Sequence, residues 1–193
     1  MHCGKTPPNE YHAEQTARES AGVEFVKYTV IPLGAEHKQS VESRAVEAWG
    51  GLTIAVHREL YDLSELPCFI AVSEADGPLG YCYYRFSGDE CEIMALESFH
   101  EKMGVGFAMI SAVRETALSH GCHRLYLQTT NDNIHAIGYY QRRGFTMCAV
   151  RFNELDYSRK LKPSIPLIGE NGISLRHEIE FEMKLCDGVE SRE

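Results

Sequence analysis

FHEKMGVGFAMI, running from Phe99 to Ile110, is the stretch on which the reading of this sequence turns. A β-branched and apolar run, ECEIMALE (Glu90 to Glu97), leads into it. Out of it comes an apolar stripe at Val105, Met109, Ala112, Val113, Thr116 and Ala117, which has the spacing of one helix face. Gly104 and Gly106 stand where strand gives way to helix. Lacking Cβ atoms, they let a ligand's phosphates approach the backbone, and the first turn of the helix offers unpaired N–H groups at the positive end of its dipole. That combination is an anion cradle. It is not a Walker loop, because no G-K-[ST] follows. It is not a dinucleotide fingerprint either, because Met109 fills the third glycine position and the strand before it follows a meander.

Working upstream, CFIAV (Cys68 to Val72), LGYCYYRF (Leu79 to Phe86) and Glu90 to Glu97 read as strands joined by short turns, an antiparallel meander. Before them, VEFVKYTV (Val23 to Val30) reads as a strand and Glu36 to Trp49 as a helix with Val41, Ala45, Ala48 and Trp49 on one face. Leu52 to Leu66 is ambiguous, a second short helix being the nearest pattern. Downstream come a strand, RLYLQTT (Arg124 to Thr130), and a helix from Ile134 to Arg142. FTMCAVRF (Phe145 to Phe152) is another strand, Asn153 to Gly172 a basic, proline-containing connection, and Ser174 to Leu185 a final alternating strand. The expected fold class is α/β in the mixed α+β sense: a central, mostly antiparallel sheet flanked by helices. Residues 1–22 read as a mobile leader, 23–186 as one domain and 187–193 as a tail.

A chain of 193 residues is the length of one generous domain. Lys+Arg at 19 against Asp+Glu at 28 leaves a net charge of −9, a sign that repels nucleic acid and anionic membrane surfaces. Seven cysteines with no CxxC pair fit neither a disulfide framework nor a ribbon-type zinc site, and point to a reducing, cytoplasmic setting. His120-Gly-Cys122-His123 has no second ligand pair at zinc spacing, so no metal is expected.

A second motif answers the first. In TTNDNIHAIGYYQRRGF (Thr129 to Phe145), polar Asn131 and Asn133 stand at a strand end, a short helix carries Tyr139-Tyr140, and Gly144-Phe145 stops it. Together the two motifs resemble those of the GNAT superfamily of acetyl-CoA-dependent N-acetyltransferases, with the likeness running from about Val23 to Leu185. The family pattern [QR]-x-x-G-x-[GA] is met by Glu101-Lys102-Met103-Gly104-Val105-Gly106, with Glu101 in place of Gln or Arg. The family's Asn…Tyr-x-x-x-Gly-Phe block falls on Asn133, Tyr140, Gly144 and Phe145, with His135 at the position five before the tyrosine.

The resemblance implies a splayed strand pair at an acetyl-CoA site and transfer of the acetyl group to a primary amine by direct attack in a ternary complex. The amides of Lys102, Met103, Gly104, Val105, Gly106 and Phe107 would hold the phosphates, those of Leu96 and Ser98 the pantetheine arm and thioester, with Asn131 and Asn133 beside it. Tyr140 would protonate the leaving thiol. Tyr139, about 100° further round the helix, is expected to pack. Glu92, which simple alternation places on one face with Glu90, Met94 and Leu96, is the first candidate base, with Glu90 and Glu97 as alternatives and a set of solvated charges as the plain reading of all three. A small-molecule or peptide amine is the expected partner, with neither nucleic acid nor membrane, and a homodimer through the edge of the final strand. The rival reading is a non-catalytic acyl-CoA sensor.

Overall fold

The computed structural model describes residues 13–18, 25–100 and 103–185. An eight-stranded sheet has the order β1-β2-β5-β6-β7-β8-β10-β9. β2 (Phe25–Pro32), β5 (Cys68–Ser73), β6 (Gly77–Ser87) and β7 (Glu90–Ser98) pair antiparallel. β7 then pairs in parallel with β8 (Arg124–Thr130), which requires a crossover, supplied by α2 (Val105–Ser119). α1 (Ala35–Trp49) and α3 (Ile134–Arg142) form where the periodicity places them.

Four segments differ from the reading of the sequence. Within the stretch expected as a leader, Ala13–Arg18 forms β1, paired antiparallel to β2. It has no apolar alternation to announce a strand; β2 simply offers an open edge whose backbone groups take a partner. Leu52 to Leu66 is not a helix but a hairpin of β3 (Thr53–Val56) and β4 (Glu59–Asp62), followed by one 3-10 turn. Its two-residue turn, His57-Arg58, has φ of 55° and 62°, the left-handed pair such a tight hairpin demands, in residues that do not signal it. The basic connection holds a helix, α4 (Glu154–Leu161). Finally, β10 (Glu178–Lys184) lies between β8 and β9 (Thr146–Arg151), so the last strand has no free edge and the dimer expected there loses its basis.

The sheet carries a core on each face. On one, α2 sets Ala108, Met109, Ala112 and Val113 against Leu125, Leu127 and Phe181. On the other, α1 and the hairpin set Val41, Ala45, Ile54 and Leu63 against Ile70, Tyr81 and Tyr83. Each such large apolar side chain removed from water contributes roughly 1.5–3 kcal/mol.

One irregularity positions the site. Tyr83 pairs with Ala95 but Tyr84 pairs with Ile93, so Met94 is an extra residue, a β-bulge in β7. Met94 and Ala95 both pack into the α1-side core, and Leu96 turns to the α2 side. Leu96 therefore does not share a face with Glu92 and Met94, as unbroken alternation required. Beyond the bulge the β7–β8 ladder, which ends at Ile93 opposite Leu127, is not resumed.

Candidate active site

The diverging strands open a cleft of about 990 Å³ that runs through the sheet. One end is lined by Gly104, Val105 and Gly106 of the α2 start and by His135, Tyr139, Arg142 and Arg143 of α3. The other end is lined by Trp49, Glu97, Gln128 and Glu170. Leu96, Ser98, Asn133 and Tyr140 line it between.

At the first end Gly104 is the N-cap of α2, with φ 76° and ψ −1°, a left-handed conformation natural to glycine. Among the described residues no side chain caps the helix, which leaves its first amides at the cleft wall available as donors. Tyr28 Oη braces the loop by donating to the Met103 carbonyl at 3.3 Å. The Met103 and Val105 side chains are in the core, leaving their backbone for any ligand. Phe107 is exposed and lies 5.3 Å under the Arg143 guanidinium. Lys102, like Glu101, lies outside the described residues.

Gly106 has a different reason for being glycine than phosphate approach: a Cβ there would sit 2.7 Å from Tyr139 Oη. Tyr139 packs against the core as expected and also lines the same cleft. Its hydroxyl is buried beside Arg143, whose guanidinium is 4.6 Å from its ring centre. Sequence reasoning missed Arg142 and Arg143 as cleft residues, although paired cations directly before the Gly-Phe stop were the available signal.

In the middle of the cleft, Phe99 N–H donates to Leu79 O at 2.9 Å. In an antiparallel ladder that makes Ser98–Gly80 and Leu96–Cys82 the pairs whose own amides point away from β6, toward the gap left by β8. Asn133 caps α3 through its Oδ1, which accepts from Ala136 N–H at 2.9 Å. Asn131 is not in the cleft; its side chain donates to Ser174 O and accepts from the amides of Arg176 and His177, clamping the approach to β10. Tyr140 is 8% exposed, and burial pushes its phenol well above the usual range, so it keeps its proton.

Glu92 is in another setting. It is 1% exposed, does not line the cleft, and is held by three neighbours. His57 Nε2 lies 2.7 Å from its Oε1, while Arg85 Nε at 2.8 Å and Tyr126 Oη at 3.1 Å donate to its Oε2. Around it the same sheet face is an ionic layer: Arg58 pairs with Glu154 at 2.6 Å, Arg151 with Glu180 at 2.5 Å, and Arg124 with Glu90, Glu180 and Glu182. Glu178 forms no ion pair among the described residues, with Arg151 and His57 acting on it only at longer range. Its Oε2 is buried and unpaired, and burial, with Glu154 nearby, raises its carboxyl to about 7. Lys162 Nζ closes the layer, donating to the carbonyls of Trp49 and Thr53 at 2.7 and 2.6 Å. Among the described residues no three His, Cys, Asp or Glu side chains converge as a metal site, and no helix is long and apolar enough to cross a membrane.

This architecture, a mixed sheet whose β7 and β8 part beside the start of α2, has the overall fold of known proteins. The profile of the Acetyltransferase (GNAT) family matches residues 38–145, more than half of the chain. The chain belongs to the GNAT acetyltransferase family. This GNAT protein is 38% identical over 152 residues to the uncharacterized protein YdhI of Bacillus subtilis (strain 168), a match covering 79% of the chain and 95% of that relative. Among solved structures it shares its fold with a GNAT acetyltransferase from Elizabethkingia anophelis with acetyl-CoA bound (TM-score 0.60, 18% identity, 82% of this chain and 98% of that one). It also resembles a nourseothricin acetyltransferase (TM-score 0.58, 19% identity, 81% and 98%). As a family member it is an acetyl-CoA-dependent N-acetyltransferase. The cleft fits that co-substrate chemically, with free helix amides and two guanidinium groups for phosphates and outward-turned strand amides for the amide-bearing pantetheine arm.

Proposed function

We propose that this GNAT enzyme transfers the acetyl group of acetyl-CoA to a primary amine by direct attack within a ternary complex. The observation that carries the proposal is the through-going cleft at the Met94 bulge, with opposite chemistry at its two ends. At the α2 end, backbone amides with Arg142 and Arg143 bind phosphate oxygens. The amides of Leu96 and Ser98 orient the pantetheine arm and polarise the thioester carbonyl, an oxyanion-type role. Tyr140, protonated because it is buried, donates its proton to the departing sulfur.

The far end supplies Trp49, Glu97 and Glu170, an aromatic face beside carboxylates that suits a cationic small molecule or a peptide N-terminus. The net charge of −9 favours the same acceptors. Of the described cysteines, Cys68, Cys82, Cys91 and Cys122 are buried, and neither they nor Cys148 line the cleft, which favours direct attack over an acyl-cysteine route. The test is Tyr140→Phe, assayed by thiol release from acetyl-CoA with spermidine, kanamycin or Ala-Gly-Gly as acceptor. Turnover is expected to fall with acetyl-CoA affinity by calorimetry nearly intact; unchanged turnover refutes the acid role.

A further inference from the structure

We propose that His57, at the tip of the β3–β4 hairpin, is the group that takes the proton from the attacking amine, and that Glu92 positions it. The inference rests on the acetyl-transfer reading and names its missing base. His57 lies over the point where β7 and β8 part: Glu92 is opposite Tyr126 in the penultimate pair of their ladder, and Gln128 is the first β8 residue beyond it. The imidazole packs against both: Nε2 is 2.7 Å from Glu92 Oε1, and Gln128 Nε2 sits over the ring, 3.2 Å from Nδ1 and 3.5 Å from Nε2. A carboxylate only accepts, so the ring hydrogen is on Nε2, directed at Glu92, and the neutral ring keeps its lone pair on Nδ1. That is the tautomer a general base needs: a free lone pair on one nitrogen and a carboxylate ready to stabilise the imidazolium on the other.

Glu92 itself is too enclosed to meet a substrate; the His57 side chain is 25% exposed and, although it does not itself line the cleft, it stands directly behind Gln128, which does. Gln128 lines the cleft and keeps a buried Oε1 without a partner. When an amine arrives at the Trp49 end, one N–H can occupy that orphaned oxygen, and displacement of the Gln128 side chain from the ring face brings a second to Nδ1. The ring is held in place by its turn, which Arg58 pins to Glu154. The groups facing the imidazole are Glu92 and Arg85 across the sheet, Tyr126 and Gln128 on β8, Glu154 on α4, and Glu178 on β10.

The step balances. The amine nitrogen, entering as the free base, forms the N–C bond to the acetyl carbon and passes one proton to His57 Nδ1. The C–S bond breaks and the sulfur takes the Tyr140 proton, after which solvent returns a proton to Tyr140 and removes one from His57.

The experiment measures thiol release from acetyl-CoA with spermidine, kanamycin and Ala-Gly-Gly across pH 5.5–9.5, with acetyl-CoA affinity by calorimetry. His57→Asn keeps a residue that tolerates the left-handed turn and removes the base. It is expected to lower kcat/KM for the amine about 100-fold, within the usual range for general-base catalysis, and to make the residual rate rise with hydroxide instead of levelling off, while acetyl-CoA affinity stays within about twofold. His57→Gly, which suits the same φ and leaves the ring's space empty, is expected to regain turnover with added imidazole. A His57→Asn enzyme that keeps the wild-type rate and pH profile overturns the role of His57 and leaves acetyl transfer standing. A wild-type protein that binds acetyl-CoA yet releases no thiol with any of the three amines overturns acetyl transfer to amines and the base assignment with it.

Discussion

Glu178→Gln should make the protein more stable above neutral pH and leave it unchanged in mild acid. Glu178 is 4% exposed, lies near Glu154 and forms no ion pair among the described residues, and burial raises its carboxyl from 4.5 to about 7 in the folded state against the longer-range pull of His57 and Arg151. Between those two values the folded protein holds a proton that the unfolded chain has released, so stability falls as pH rises through the window. The lost contribution is fully present below about 4.5, and its loss is complete above about 7. A difference of about 2.5 units at 1.36 kcal/mol each comes to about 3 kcal/mol. At roughly 2–4 °C per kcal/mol for a chain of this size, that is a Tm difference on the order of 6–12 °C. Thermal unfolding of both proteins at pH 5, 6, 7 and 8, with the variant-minus-wild-type Tm plotted against pH, isolates this term. The packing and hydrogen-bond cost of the amide is the same at every pH and shifts only the baseline. The difference should climb between pH 5 and 7 and then level off; a flat line over the whole range would refute the buried, unpaired carboxyl.

Two further perturbations probe the cofactor end. Gly106→Ala places a methyl 2.7 Å from Tyr139 Oη, so overpacking should cost about 1–3 kcal/mol and weaken acetyl-CoA binding; in a Tyr139→Phe background most of that cost should vanish, and an equal cost in both backgrounds, read by urea unfolding, would mean that the phenol is not what requires glycine. Arg142→Ala and Arg143→Ala together should weaken acetyl-CoA at least tenfold by calorimetry at low salt, with the gap closing as ionic strength rises, whereas a salt-independent loss would speak against a phosphate contact.

Taken alone, the sequence determined the order of most elements and the glycine loop that lines one end of the cleft. Periodicity is a local property, so α1, α2, α3 and the β5–β6–β7 meander could be placed from their own residues, as could the glycine loop that starts α2. Features that depend on partners distant in the chain were not legible. The β3–β4 hairpin turns on His57 and Arg58, which carry no turn signal and are held by Glu92 and Glu154. β1 exists only because β2 has an open edge. The Met94 bulge is invisible in ECEIMALE because an extra residue is defined only against the strand opposite; it is what sends Leu96 to the other face and parts β7 from β8. The sequence also named Glu92 and Tyr140 but could not distinguish their settings. Only the tertiary structure buries the carboxylate under His57, Arg85 and Tyr126 and opens the phenol's surroundings to the cleft, because burial and partnership are fixed by residues that lie far apart in the chain and meet only in the folded sheet.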